Sequence, residues 1–444
     1  MSFIVRAMDI RIKKWMSGVV VLFLTLFSVS AVAQNFTSYL TGNENDIETL
    51  PLGGVCMMGG AGEHDEAMRW FLNRANGGDV LVLRTSGSNG YNNYMYNQLG
   101  VKINSVETIV CKNKQASTDN YLIQKIRMAE AIWFAGGDQY DYVSYWRDTP
   151  VSREINKAIK NRNIVIGGTS AGMAILGEYY FSARNGSVSS EEALNNPYLR
   201  AVTVDTTLFL TVPYMGNVIT DTHYDDPDRR GRHTTFLARI ANDYYPQPLG
   251  VACNEYVAVC IDENGKAIVY GDYPKYDEFA YFIRLNCTVD NNVPEICEAG
   301  KPLTWNQNGT ALTVYRVPGT NEGKNTFDMR TWQGGSGGSW FFWSVDNGVL
   351  VENSGTEVDC LPVSTQDDPL ASITLFPNPT YGQINVYAID GYNEIRFYDV
   401  VGQLVLSQTL TNNQLDITSF SPGVYWLEFI KGNQIVVRKK IVKL

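Results

Sequence analysis

The chain has 444 residues, of which 44% are hydrophobic, and this is enough to bury a large core and predicts two or three domains. Its formal net charge is −10, and there is no basic stripe that could neutralise phosphates, so nucleic-acid binding is excluded. The acidic balance by itself identifies no partner.

Residues 1–33 predict a secretory signal peptide. Basic residues up to Lys14 precede a short apolar stretch at 18–27, and an Ala-x-Ala cleavage site follows at 31–33. The apolar stretch is short for a transmembrane helix, so we expect cleavage near Ala33 and no stable membrane span in the mature protein. A retained anchor is the alternative, and Met8 is a second candidate start.

Short apolar runs alternate with helical segments between residue 54 and about residue 270, which predicts βαβ crossovers and an α/β fold with a parallel sheet covered on both faces. Ligands of such sheets bind beyond the carboxyl ends of the strands, where three Gly-rich turns follow predicted strands at 59–62, 136–139 and 168–172. The first turn does not fit G-x-G-x-x-G, which argues against a dinucleotide. The predicted strands are 55–58, 80–83, 107–111, 132–135 and 164–167, and the predicted helices are 64–74, 120–129 and 152–160.

The third turn, Gly168-Thr-Ser-Ala-Gly172, has the pattern of a nucleophile elbow between a strand and a helix that we expect over 173–180. The glycines allow a sharp turn that exposes Ser170 and points the backbone N–H of Ala171 at a developing oxyanion. The alternative is a Gly-rich turn that merely contains a serine.

A serine nucleophile needs a base, and the chain has three histidines. His223 is preferred because it ends an alternating, strand-like run with Asp221 on the same face. His64, just after the first Gly-rich turn, is an alternative. His233 begins a predicted helix at 234–242, where a solvated or capping role is expected.

The seven cysteines show neither C-x-x-C spacing nor clustered histidines, so we expect no metal and no organic cofactor. In an exported protein, Cys287 and Cys297 form the most plausible disulfide, while Cys56 is expected to be a buried thiol.

Three motifs together, at 134–139, 168–172 and 221–232, resemble those of the cyanophycinase and aspartyl dipeptidase family of serine peptidases. The resemblance covers about residues 50–270 and implies a glutamine-amidotransferase-like α/β fold with a Ser-His-acid triad. It implies that Ser170 is the nucleophile and His223 the base. It also implies an oxyanion hole formed by the backbone around Gly137 with Ala171, and a substrate contact by Gln139.

The third motif departs from the family pattern at two positions, where Thr222 replaces a glutamine and Pro227 replaces an arginine. Arg229 and Arg232 remain, and because arginine binds carboxylates in pairs of hydrogen bonds, we expect them to bind the anionic group of an acidic or β-aspartyl peptide. The alternative is that they pair with aspartates 225, 226 and 228 on a solvated surface.

The resemblance implies a third catalytic group, a carboxylate between the nucleophile and the base in sequence, that orients the histidine. Glu192 is the preferred candidate, and its rivals are Glu191, Asp221 and Glu255. A different interpretation of Glu191 and Glu192 is an acidic pair at the start of a helix, behind a serine cap.

Beyond the α/β domain predicted at 34–274, short alternating runs predict a β-rich extension at 275–361 and, after a polar linker at 362–370, an antiparallel β-sandwich at 371–444. Motifs at 376–380, 422–425 and 438–444 resemble the C-terminal sorting domain of type IX secretion cargo in Bacteroidota. A generic carbohydrate-binding sandwich is the alternative.

We therefore predict a secreted or cell-surface serine peptidase whose partners are a peptide substrate and the type IX secretion machinery. A homodimer is a possible assembly. The alternative function is a non-catalytic surface protein that binds peptide or glycan through residues 275–361.

Overall fold

The computed structural model describes residues 34–205, 209–244 and 247–360, and towards the C-terminus residues 374–376, 380–387, 394–399, 403–409, 414–431 and 434–443. The predicted signal peptide and the predicted linker lie outside the described residues. None of the helices in the described part of the chain is long and apolar enough to cross a membrane.

The helices of this part of the chain are mostly short. In chain order they are α1 (Asp65–Arg74), α2 (Gly90–Asn93), α3 (Asn120–Met128), α4 (Gln139–Trp146), α5 (Pro150–Arg162), α6 (Ala171–Ala174), α7 (Ser190–Asn195) and α8 (Arg230–Tyr244), with a π-helical turn at Tyr94–Gln98 and 3₁₀ turns at Lys114–Thr118 and Gln307–Gly309.

The described residues up to 360 form eighteen strands. They are β1 (Phe36–Gly42), β2 (Val55–Met58), β3 (Asp79–Arg84), β4 (Ser105–Cys111), β5 (Ala131–Phe134), β6 (Val165–Thr169), β7 (Tyr180–Phe181), β8 (Val204–Asp205), β9 (Val218–Asp221), β10 (Leu249–Cys253), β11 (Ala258–Ile261), β12 (Lys266–Tyr270), β13 (Phe279–Leu285), β14 (Leu312–Pro318), β15 (Asn325–Asp328), β16 (Gln333–Ser336), β17 (Ser339–Asp346) and β18 (Val349–Ser354).

The larger sheet has ten strands in the order β1-β4-β3-β5-β6-β2-β11-β12-β15-β16. Its centre, from β4 to β2, is parallel, and the central strands β2, β5 and β6 are completely buried, as expected where helices cover both faces. The predicted α/β class and the five predicted strands are confirmed to within a few residues. The sheet is mixed rather than parallel, because β1 and β11 pair antiparallel with the two edges of this centre.

The second sheet has six strands in the order β18-β17-β14-β13-β10-β9. Strands on the two sides of the predicted boundary at 274 pair within both sheets, since β10 pairs with β13 and β12 pairs with β15. The described residues 275–360 contain the strands β13 to β18, and these strands complete the same two sheets that carry the N-terminal part. Long-range pairing of this kind leaves no local signal in the sequence.

The C-terminal strands form two further sheets with a common set of buried side chains. The strands are β19 (Thr374–Phe376), β20 (Gln383–Tyr387), β21 (Glu394–Tyr398), β22 (Leu404–Gln408), β23 (Gln414–Asp416), β24 (Gly423–Lys431) and β25 (Gln434–Lys443). Their orders are β19-β20-β23 and β22-β21-β24-β25, and all neighbours are antiparallel. Ile384 of one sheet and Phe397 of the other belong to one hydrophobic cluster. The β-sandwich itself stays a prediction.

The predicted disulfide between Cys287 and Cys297 is wrong. Cys287 is bonded to Cys360, 73 residues further along the chain, while Cys297 is a buried free thiol. Sequence spacing favoured the near neighbour, but the fold brings the end of the β-rich region back to the end of β13. Cys56 is a buried free thiol, as predicted.

Candidate active site

The nucleophile elbow lies where β6 turns into α6. Ser170 has φ 52° and ψ −117°, a strained conformation for a residue other than glycine. A Cβ at position 168 would lie 2.5 Å from the carbonyl carbon of Gly172, and one at position 172 would lie 2.1 Å from Phe134 O. Glycine is therefore required on both sides of Ser170, because the backbones of the strand and the helix touch.

The helix after the elbow is shorter than predicted. It ends at Ala174, whereas the sequence pattern predicts helix to residue 180. Gly177 passes so close to β9 that a Cβ there would lie 2.5 Å from Val218 O. The chain then turns into β7 instead of continuing as a helix.

His223 follows β9 by two residues and also has a left-handed backbone, with φ 48°. Its N–H donates to Gly59 O over 2.8 Å, which joins it to the first Gly-rich turn. A Cβ on Gly60 would lie 2.4 Å from the imidazole ring, so only glycine admits the ring at this place. The turn at 59–62 thus holds the histidine in position.

His223 lies between a hydroxyl and a carboxylate. Its Nε2 is 2.8 Å from Ser170 Oγ, and its Nδ1 is 2.5 Å from Glu255 Oε1. Because a carboxylate only accepts, Nδ1 carries the proton, and Nε2 then accepts the hydroxyl proton of Ser170. This is the arrangement that a serine nucleophile requires.

Glu255, one of the alternative acids, is held by the loop between β10 and β11. Its N–H donates to Asp225 Oδ1 over 2.9 Å, and its side chain is about one-quarter exposed. The residue after it, Tyr256, has φ 62° and donates its N–H to Gly60 O. The same glycine turn therefore supports both the histidine and the carboxylate.

Glu192, the preferred acid, lies elsewhere. It is exposed, its carboxylate accepts from the N–H and the hydroxyl of Ser189, and the Ser189 hydroxyl in turn accepts from its backbone N–H. This is a capping box at the start of α7, which was the alternative interpretation of the pair with Glu191. The preference for Glu192 as the partner of His223 is corrected to Glu255. The order nucleophile-acid-histidine assumed from the family misdirected the prediction.

Asp221 and Arg232 contact each other and are both almost completely buried. Burial by itself would raise the pKa of the Asp221 carboxyl, but the Arg232 guanidinium outweighs it, so the pKa is lowered. Arg232 also lies over the ring of Phe181. The sequence predicts that Arg232 binds the substrate. In the structure its guanidinium instead points into the core, where it is paired with Asp221.

Arg229 is half-buried beside the histidine turn. Its Nη1 donates to Thr222 O over 3.0 Å, while its Nε is buried without a hydrogen-bond partner in the described part of the chain. Burial, assisted by the nearby Arg232, lowers its pKa. None of the aspartates expected as alternative partners is within ion-pair distance of it in the described residues, although Asp228 pairs with the neighbouring Arg230. Arg229 therefore has donor capacity left for a ligand.

The second Gly-rich turn borders Ser170. A Cβ on Gly136 would lie 3.6 Å from Ser170 Cβ, and Gly137 has φ 155°, in the region that favours glycine. Asp138 then caps α4 by accepting from the N–H of Tyr140. Gln139, the first residue of α4, has its amide 3.4 Å from Phe181 O. Ala171 begins α6 directly after Ser170.

The other two histidines do not contact Ser170. His64 Nε2 lies 3.8 Å from Asp272, and burial lowers its pKa. His233 is completely buried, with its nitrogens 3.2 Å from Tyr224 Oη and Ile219 O, and burial lowers its pKa to about 4. The expected solvated or capping role of His233 is wrong, because it lies on the inner face of α8.

Comparison with known proteins gives two family matches. The model of Peptidase family S51 matches residues 88–200, and the model of the secretion system C-terminal sorting domain matches residues 374–443. Both resemblances inferred from the motifs are thereby confirmed.

Individual relatives agree with the first match. A cyanophycinase of Geminocystis herdmanii is 25% identical over 161 residues, which cover 36% of this chain and 53% of that protein. A cyanophycinase of Trichormus variabilis is 24% identical over 177 residues, which cover 40% and 53%. The chain thus spans about half the length of these relatives. A solved peptidase from an acI-B1 Actinobacterium shares 16% identity at a TM-score of 0.37, over 50% of this chain and 89% of its own. The chain is therefore similar to Peptidase family S51 over residues 88–200 and to secretion sorting domains over residues 374–443.

Proposed function

We propose that this protein is an exported serine peptidase of the cyanophycinase-like kind, with Ser170, His223 and Glu255 as its triad. The observation that carries the proposal is the position of the His223 imidazole, with Nε2 2.8 Å from Ser170 Oγ and Nδ1 2.5 Å from Glu255. The similarity to Peptidase family S51 supports it independently.

In the proposed mechanism, Ser170 Oγ attacks the scissile carbonyl carbon while His223 Nε2 accepts the hydroxyl proton. Glu255 stabilises the imidazolium that results. The backbone N–H groups of Ala171 and Gly137 are suited to the oxyanion of the tetrahedral intermediate. His223 then returns the proton to the departing amine. In the second half of the reaction, His223 accepts a proton from water as the water attacks the acyl-enzyme ester, and the proton is returned to Ser170 Oγ when the ester bond breaks.

For the substrate we propose a peptide with an anionic group, either acidic or β-aspartyl. Arg229 is the side chain assigned to this group, because its Nε has no hydrogen-bond partner and no carboxylate of the described residues lies within 4.0 Å of its guanidinium. Gln139 stands at the start of α4, beside the Gly136–Gly137 turn, and is proposed to contact the substrate backbone.

A fluorophosphonate probe tests the proposal directly, since it reacts only with an activated serine. We expect covalent labelling of Ser170 in the wild-type chain, no labelling of Ser170→Ala, and the same thermal unfolding midpoint for both. A wild-type protein that resists the probe and hydrolyses no acidic peptide would instead be the non-catalytic binding protein.

We also propose export through type IX secretion to the cell surface or the medium, supported by the sorting-domain match at 374–443. Deletion of residues 371–444 in a host with this secretion system is expected to leave active peptidase in the periplasm. Normal surface delivery of the truncated chain would contradict the proposal.

A further inference from the structure

A cavity of about 330 Å³ opens between α1 and the end of β3. One wall continues the turn at 59–62, whose Gly60 contacts the His223 ring, and the other leaves β3 at Arg84. A Cβ on Gly137 would lie 3.6 Å from Ser86 Oγ, so the second wall borders the turn beside Ser170. The cavity is lined by Glu63, Asp65, Arg84, Gly90, Tyr91 and Tyr94.

The first notable charge of this cavity is the half-buried carboxylate of Glu63. It accepts a hydrogen bond from the hydroxyl of Tyr91, and burial, followed by the charge of Glu63, raises the pKa of that hydroxyl, which therefore remains a donor. Asp65 differs, because Arg69 lies 3.7 Å from it and offsets its charge. In the described part of the chain no cationic side chain lies within 4.0 Å of Glu63.

The second charge is the guanidinium of Arg84. Its Nε donates to Ser86 O and its Nη1 donates to Ser88 O over 2.7 Å, so two backbone carbonyls fix its orientation. No carboxylate of the described residues lies within 4.0 Å of it. A guanidinium that is held in place yet lacks an anionic partner has N–H groups left for an anion.

Both charged groups line this one cavity, and among the described residues they do not form an ion pair with each other. We propose that the cavity binds an α-amino acid group, with the ammonium at Glu63 and the carboxylate at Arg84. Such a ligand carries both charges on one carbon atom and neutralises both walls together.

In a peptide, this group is intact at the free end of a β-aspartyl linkage, where the α-amino and α-carboxylate groups both remain free. The inference rests on the proposed peptidase function and assigns the part of the substrate that lies on the acyl side of the scissile bond. It predicts cleavage after an N-terminal β-aspartyl residue.

Three dipeptide ligands separate the two charges: β-aspartyl-alanine has both, succinyl-alanine lacks the amine, and β-alanyl-alanine lacks the carboxylate. Binding to the full chain carrying Ser170→Ala is measured by calorimetry, so that no ligand is consumed. We expect β-aspartyl-alanine to bind at least about 10-fold more tightly than either analogue.

A second substitution, added to the Ser170→Ala chain, then tests which side chain binds which charge of the ligand. Glu63→Gln is expected to remove the advantage over succinyl-alanine alone, and Arg84→Gln the advantage over β-alanyl-alanine alone. Glu66→Gln and Arg127→Gln, which each change an ion pair outside the lining, serve as matched controls and are expected to keep both advantages. Equal affinity for the three ligands overturns the inference, and because this comparison uses the unaltered cavity, it does not depend on the variants folding.

Failure of the inference and failure of the proposed function are distinguishable. Probe labelling of Ser170 with equal ligand affinities would leave the peptidase proposal standing and remove the amino acid cavity. Ligand discrimination without labelling would do the opposite.

Discussion

Asp221 and Arg232 form a two-bond ion pair in the core, directly below the turn that carries His223. Arg232 Nε is 2.8 Å from Asp221 Oδ2, Nη2 is 2.5 Å from Oδ1, and the two side chains are only 3–4% exposed. The pair joins α8 to the end of β9. It therefore determines where the histidine turn begins relative to the helix behind it.

Removing one member of this pair is expected to destabilise the protein strongly. Arg232→Ala leaves a buried carboxylate without its partner, and we expect a loss of about 3–5 kcal/mol in the free energy of unfolding. Lys301→Ala, which breaks an exposed pair with Glu298, is the control and should change stability by less than about 1 kcal/mol. Urea unfolding of both variants checks this, and similar midpoints for the two would contradict it.

The two candidate acids are separated by a pair of substitutions of the same kind. Glu255→Gln is expected to lower kcat by about 10³-fold or more, because an amide cannot stabilise the imidazolium and allows the wrong tautomer. Glu192→Gln affects only the capping box, so we expect unchanged kcat and a loss of stability of about 1 kcal/mol or less. Turnover of an acidic peptide by both variants decides, and the reverse pattern would restore Glu192.

Arg229→Ala tests the substrate anion. We expect kcat/KM for acidic peptides to fall by about 10 to 100-fold, or roughly 1.5–3 kcal/mol for a lost charged hydrogen bond, with little change for neutral peptides. Arg230→Ala is the matched control, because that side chain already pairs with Asp228 and Glu352. Equal losses for acidic and neutral peptides would show that Arg229 only supports the Thr222 carbonyl.

Glu130 predicts a pH dependence of stability at the opposite end of the sheet. Burial raises the pKa of its carboxyl from 4.5 to about 7, against the lowering effects of the Asp79 N–H and of Arg162, while Asp79 and Asp46 add to the rise. Between these two values the folded state binds more protons than the unfolded state, so the stabilisation is complete below pH 4.5 and is lost as the pH rises to about 7.

Glu130→Gln is expected to remove that part of the pH dependence, which amounts to about 1–3 kcal/mol between pH 4.5 and 7. The measurement is the free energy of unfolding of both proteins across this range. A wild-type protein that grows more stable over the same range, relative to the variant, would contradict the prediction.

The central sheet was predictable because its strands are short and mainly apolar, and three of them, β2, β5 and β6, lead into glycine turns. The runs at 55–58 and 131–134 are completely buried, as their composition indicates. The antiparallel strands that extend this sheet were not assigned to it, because the sequence of a β-strand does not indicate which distant strand it pairs with. The sheet's edges therefore had to be found from the structure.

In the candidate site, too, local sequence patterns predict some residues, whereas others depend on contacts between distant parts of the chain. The glycines around Ser170 and the alternation up to His223 are local signals, and both residues meet as predicted. Glu255 was only an alternative, because the loop that brings it to His223 depends on contacts with Gly60 and Asp225, far away in sequence. Glu192 was preferred for its position in the chain, although Ser189 three residues before it is the ordinary signal of a helix start.

The bond between Cys287 and Cys360 fixes the chain just before the linker predicted at 362–370. A protease that removes the sorting segment anywhere between 361 and 373 would create a new chain end just beyond this bond. The segment that leads to this new end stays attached near the end of β13, because Cys360 remains covalently bonded to Cys287. The part of the chain before such a cut would therefore keep its C-terminal end covalently attached near the end of β13.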